Sequence, residues 1–286
     1  MTRHEQSMRV CAGRVAVAMA AVCTAGCGLT QMTGRSHAGA PAAQPSASSD
    51  ELVQRIMTLY NQGRYDEAAP LAAQALEQAE HAFDPHDIRV AVALNNLAEI
   101  YRAQGRHAEA EPLVKRAVDI YEHAPSADPL DLATALNNLG EIYRLQRHDA
   151  DAEPLLKRAL ALWEHDLGES HPKVAIALNN LAQLYTGQRS YAAAEPLYRR
   201  ALAILETVHG ADDPAIATAL NNLAGMYRAQ HKNADAEPLL KRALQILERA
   251  LGPDHPHTVT VRQNLLTVQQ DAVDAEKTTA PEAPAK

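Results

Sequence analysis

The chain has 286 residues and a formal net charge of -8, with 47% hydrophobic residues but a single tryptophan, Trp163, and a single phenylalanine, Phe83. A surface rich in alanine, leucine and carboxylates excludes a phosphate-binding basic field, and so argues against a nucleic-acid partner. It also suits closely packed helices far better than a β-sandwich, so the fold class is all-α.

Cys11, Cys23 and Cys27 all lie in the first 27 residues, which confines thiol chemistry to that end. Arg3, Arg9 and Arg14 precede the apolar run from Val15 to Val22, long enough for an export signal and too short to span a bilayer. Residues 1–26 therefore read as a signal peptide. The run ends in Thr24-Ala25-Gly26-Cys27, which resembles a bacterial lipobox, although Thr24 stands where leucine is usual. That resemblance implies lipidation of Cys27, and Gly28 in place of an aspartate points to the outer membrane, facing the periplasm. The alternatives to lipidation are an ordinary cleavage near Ala38-Gly39-Ala40 and a chance match, and a start at Met8 would give a compact signal from Met8 to Gly26. Residues 27–49, rich in Gly, Ala, Pro and Ser, read as a flexible tether with a reach of roughly 25 Å.

From Asp50 the chain is a repeat. LNNL begins at Leu94, Leu136, Leu178 and Leu220, always 42 residues apart. A period of this size marks helix pairs that bury their faces by stacking on one another. The phase predicts a degenerate unit over 50–82, full units over 88–123, 130–165, 173–208 and 215–250, and a capping helix over 257–269 within an array of 50–270. The tail, 271–286, is expected to be disordered. In each unit Leu94, Leu97, Ala98 and Tyr101, or their equivalents, share one helical face. Ala98, Gly140, Ala182 and Ala224 mark the crossing of the two helices, where a bulky side chain would push them apart. Pro112, Pro154, Pro196 and Pro238 recur about four residues into the second helix, at positions expected to lack an amide partner anyway. Leu113, Ala117 and Ile120 form that helix's inward stripe, and Asp128-Pro129, His171-Pro172, Asp213-Pro214 and His255-Pro256 end one unit and start the next.

The pattern of Leu94, Leu97, Ala98, Tyr101, Gly105 and Ala110 resembles the tetratricopeptide repeat (TPR), and LNNLAEIY, AEPLLKRAL and LGPDHP resemble the 42-residue units of the kinesin light chain type. The resemblance covers roughly residues 50–268. It implies a solenoid, a right-handed superhelix of antiparallel helix pairs whose first helices line a concave groove. It also implies partners that are proteins or peptides.

With Leu94, Leu97, Ala98 and Tyr101 buried, Asn95 and Arg102 project to one flank and Asn96 to the other. The candidate partner-binding residues are Asn96, Asn138, Asn180, Asn222 and Asn264, then Asn95, Asn137, Asn179 and Asn221, with Arg102, Arg144 and Arg228. In related peptide-binding domains the second asparagine bonds a ligand backbone, and here it persists at Asn264 where Gln263 replaces the first. The competing reading is that the amides bond neighbouring helices, because buried polar groups need partners. Glu99 and Glu141, three residues before Arg102 and Arg144, neutralise much of that charge.

Lys115-Arg116, Lys157-Arg158, Arg199-Arg200 and Lys241-Arg242 read as a solvated outer face, each following a glutamate by four residues. Asp254, His255 and His257 crowd one loop, but Pro256 interrupts any shared ligand face, so no metal is expected. No motif for a nucleophile, a phosphate loop or a cofactor occurs, so neither a catalytic residue nor a cofactor is assigned and the chain is not read as an enzyme. The sequence therefore predicts a scaffold of the bacterial envelope that binds a protein or peptide partner and meets the membrane through a lipid anchor alone. The alternative is an assembly factor that multimerises through its convex face or helix ends.

Overall fold

The computed structural model describes residues 47–279. The expected signal peptide, Cys27 and residues 280–286 lie outside the described residues, as does the expected tether up to residue 46. Within them are eleven helices and no strand. They run as pairs: α1 (Ala47–Asn61) with α2 (Tyr65–Ala82), α3 (Ile88–Ala103) with α4 (His107–His123), and α5 (Pro129–Leu145) with α6 (Asp149–Leu167). Next come α7 (Pro172–Gly187) with α8 (Tyr191–His209), α9 (Pro214–Ala229) with α10 (Asn233–Leu251), and a last helix, α11 (Pro256–Thr279).

The start of each first helix is written in side-chain chemistry. Asp87, Asp128 and Asp213 each accept a hydrogen bond from the amide two residues on, at Arg89, Leu130 and Ala215. That contact satisfies one of the amides a helix start leaves open. Histidine takes the same place in two units: His171 Nδ1 accepts from the Lys173 amide at 3.1 Å, and His255 Nδ1 from the His257 amide at 3.3 Å. The first helix of each pair ends in a tight turn with left-handed backbone, at Gly63, Gly105, Arg147, Arg189 and His231. Only two of those five are glycine, so the other three sustain a conformation that costs an L-residue roughly 1–2 kcal/mol. After the second helices, Gly168, Gly210 and Gly252 combine φ of 82–89° with ψ near 160°, a region open only to glycine.

Two expectations are corrected. The second helices start earlier than the proline spacing implied: α4 begins at His107, and its i to i−4 bonding is under way when the Ala110 amide reaches the Arg106 carbonyl at 3.1 Å. Pro112 is thus the sixth residue of its helix, and the amide it lacks would have bonded the Ala108 carbonyl. The tail is not disordered throughout, because α11 continues through Thr279 rather than stopping near 269. Residues 271–279 hold neither glycine nor proline, so nothing in them breaks the helix.

The chain divides into two compact units, one through Asn180 and the other from Leu181. In the first, α3 packs on both α2 and α4, and α5 on both α4 and α6. Ile56, Leu59, Tyr60, Leu97 and Ile100 are buried together, and Val90, Leu94, Val114, Ile120, Leu136 and Ile142 form the adjoining cluster. Each fully buried leucine or isoleucine stabilises the stack by roughly 1.5–3 kcal/mol. Leu113 and Leu155 are only half-buried, while their neighbours Val114 and Leu156 are sealed. Leu156 sits at the helix crossing, where a Cβ added to Gly140 would lie 2.8 Å from it. In the second unit α9 packs on α8 and α10, and α10 on α11, around Leu220, Leu223, Leu240 and Leu247.

Two outcomes are expected from this packing. Gly140→Leu should lower the free energy of unfolding in denaturant titration by about 1–3 kcal/mol, because Leu156 has no room to yield. The second concerns the histidine cap. Burial, and then the charge of Lys173, hold the His171 pKa below its ordinary value, so folding favours the neutral ring that can accept at Nδ1. The stability this provides is whole above the ordinary histidine range and is lost as pH falls through that range toward the lower folded value. His171→Asp, which copies the aspartate caps, should flatten that part of the stability profile between neutral pH and mild acid.

Candidate partner-binding site

The paired asparagines on the first helices form a ladder between successive units. Asn138 Nδ2 donates to Asn95 Oδ1 at 3.0 Å, Asn180 Nδ2 to Asn137 Oδ1 at 3.0 Å, and Asn264 Nδ2 to Asn221 Oδ1 at 2.8 Å. Each of these bonds spans 43 residues, one more than the repeat, so in these three cases the second asparagine of one unit reaches the first of the unit before it. Asn138 and Asn180 are 1% and 0% exposed, and Asn95, Asn96 and Asn137 are buried as well. Asn179, Asn221, Asn222 and Asn264 are half-buried.

At Asn138 and Asn180, two of the residues expected to meet a ligand, the side chains are buried and Nδ2 is bonded to the preceding unit. The persistence of Asn264 has the same cause. It reaches back to Asn221, whereas Gln263 stands where no following helix among the described residues could donate to it. Each such bond contributes a net ~0.5–1.5 kcal/mol, and losing one partner costs more because the other stays buried.

The first-unit arginines are also engaged. Arg102 donates to Glu99 through Nε at 2.9 Å and Nη2 at 2.7 Å, and the Tyr60 hydroxyl donates to the same carboxylate. Burial opposes the Arg102 cation, yet the charge and hydrogen bonds of Glu99, aided by Tyr60 and Glu141, outweigh it and hold the guanidinium above its ordinary pKa. Arg144 makes the matching pair with Glu141, 2.9 Å from Nε. In the second unit Gly225 stands at that glutamate position, and Arg228 is exposed and makes no ion pair among the described residues.

At the N-terminal end Val53 occupies the position that Asn95 and Asn137 hold in the following units. There Val53, Ile56, Met57, Ala72, Ala75 and Ala93 line an apolar recess with the Asn96 side chain in its wall. It is shallow and partly open to solvent.

The outer face shows a second network that the sequence reading missed. Lys115, Lys157, Arg199 and Lys241 pair with the glutamate four residues before them, as the spacing predicted. The arginines beside three of them do something else: Arg116, Arg158 and Arg242 reach Glu80, Glu122 and Glu206 in the preceding unit. The signal was available, because Glu80, Glu122, Glu164, Glu206 and Glu248 recur every 42 residues. Glu248, last of the series, pairs with Arg262 instead. Among the described residues no cluster of His, Cys, Asp or Glu is placed to hold a metal ion, and no helix is long and apolar enough to cross a membrane.

The tetratricopeptide repeat model matches residues 52–123 and 131–207, and a second model of the same repeat matches 216–257. The chain belongs to the tetratricopeptide repeat family, whose members generally serve as protein-interaction scaffolds. Its fold is similar to that of BtubC (BKLC) from P. vanneervenii, at 21% identity and a TM-score of 0.57 over 82% of this chain and 95% of that one. It is likewise similar to a Podospora anserina kinesin light chain-type protein with nearly identical TPR-like repeats, at 20% identity and a TM-score of 0.56 over 70% of this chain and 94% of that one. No curated protein matches the sequence significantly.

If the ladder is structural, Asn138→Ala should destabilise the protein by about 1–3 kcal/mol by orphaning Asn95. Adding Asn95→Ala should then cost less than the sum of the single changes, a coupling that chemical denaturation of the four-member cycle would measure.

Proposed function

We propose that this chain is a non-catalytic scaffold of the bacterial cell envelope that holds an extended peptide segment of a protein partner on its first helices. The observation that carries the reading is the recess between α1, α2 and α3. It is a small apolar concavity lined by Val53, Ile56, Met57, Ala72, Ala75 and Ala93, the kind of surface that takes an apolar side chain. The polar floor beside it supports the same reading. Glu99 and Arg102 neutralise each other, so affinity in the first unit comes from shape and apolar contact rather than from ligand charge.

The envelope assignment is supported by sequence: the Arg-flanked apolar run, the lipobox-like Thr24-Ala25-Gly26-Cys27 and the tether composition that follows. Anchored by acyl chains on Cys27, the repeats would stand off the membrane on that tether. A protein of this kind needs no cofactor, and its work is to bring a partner to the membrane surface.

The test is capture from detergent extracts of the native host's envelope. The wild-type chain should retain a partner that Ala75→Glu, which places a carboxylate in the recess, loses by at least about tenfold while helicity and melting are unchanged. Cys27→Ser should move the protein from the membrane to the soluble fraction. A partner retained equally by Ala75→Glu would refute the recess, and a membrane fraction unchanged by Cys27→Ser would refute the anchor.

A further inference from the structure

The last helix carries an apolar stripe that no other element among the described residues covers. Val259, Leu266 and Val273 are 48%, 53% and 45% exposed, and they stand seven residues apart, on one face of α11. At the position of Leu266 the full units keep Ala98, Gly140, Ala182 and Ala224, and at that of Val259 they keep alanine, all inside the stack. Two other positions of the terminal helix are polar and bonded to α10, with Arg262 where Leu94 stands reaching Glu248 and Gln269 where Tyr101 stands reaching Glu237. A face meant only for solvent would not also gain a valine and a leucine where interior units have the smallest side chains. At 24 residues α11 is longer than the 16 or 17 of α3, α5, α7 and α9, and the added turns bring Val273 into line.

We infer that this stripe is a homodimer interface, α11 packing antiparallel on α11 of a second copy with Leu266 at the twofold axis. The face reads almost the same in both directions about Leu266: Val259, Arg262 and Gln263 on one side, Gln269, Gln270 and Val273 on the other. Antiparallel pairing sets Leu266 on Leu266 and Val259 on Val273 of the second copy, the self-complementarity that an isologous contact requires. Charge selects the same direction. A parallel pair would oppose Arg262 to Arg262, whereas the antiparallel pair carries it to Gln270, beside Asp271, in the acidic half of the helix. The helix is roughly 36 Å long. A single helix face of this length offers no more than the lower end of the area of a specific interface, so the dimer is reversible and concentration-dependent.

Sedimentation of the full chain over a dilution series tests this directly, with dissociation expected on the order of micromolar. Leu266→Glu should weaken the dimer at least about tenfold, and because the side chain is exposed, melting should not change. Thiol cross-linking reads the direction of packing. With Cys11, Cys23 and Cys27 changed to Ser, Leu266→Cys should cross-link to itself. Val259→Cys should cross-link only when mixed with Val273→Cys. A chain that stays monomeric throughout, a dimer indifferent to Leu266→Glu, or a Val259→Cys variant that cross-links to itself as readily as the mixture would each overturn the proposal.

Discussion

Two helices approach only as closely as the side chains at their crossing allow, and in this protein the crossing is held to alanine or glycine in every full unit. At Gly140 the facing Leu156 fills the space so completely that one added carbon would meet it at 2.8 Å. That closeness makes each pair thin, and a thin pair cannot hide both of its apolar faces. The next pair has to cover what the last one leaves, and the array follows from that need.

Apolar contact alone would let such pairs slide against each other, since burial has no direction. Two polar networks remove that freedom. On the inner side the asparagine ladder ties Asn138, Asn180 and Asn264 to the first asparagine of the preceding unit. On the outer side Glu80, Glu122 and Glu206 take arginines from the unit after them. The buried ladder matters more, because a buried amide that loses its partner costs far more than an exposed ion pair that opens.

The same spending shapes what is left for a partner. Of the inner-face groups that look most like ligand contacts in the sequence, Arg102 and Arg144 are paired with glutamates, and Asn138 and Asn180 give their Nδ2 groups to the preceding unit. At the N-terminal side of the described residues an apolar recess opens between α1, α2 and α3, and among the described residues no helix follows α11 to lie on it.

The period, the all-helical class, the small residues at the crossing and the aspartates that start first helices were legible from residue order, since all of them act within a turn or two of chain. The two readings of the asparagines could not be separated in that way. An amide that bonds a ligand and one that bonds a neighbouring unit have the same composition and the same spacing. The helical extension to Thr279 was readable from the lack of glycine and proline, and the outer ion pairs from the 42-residue glutamate series. By itself the sequence determined that the chain repeats, because helix propensity, capping and the apolar period are local. Only the tertiary structure decided which polar groups are already satisfied, because that depends on stacking that sets Asn138 3.0 Å from Asn95, 43 residues away.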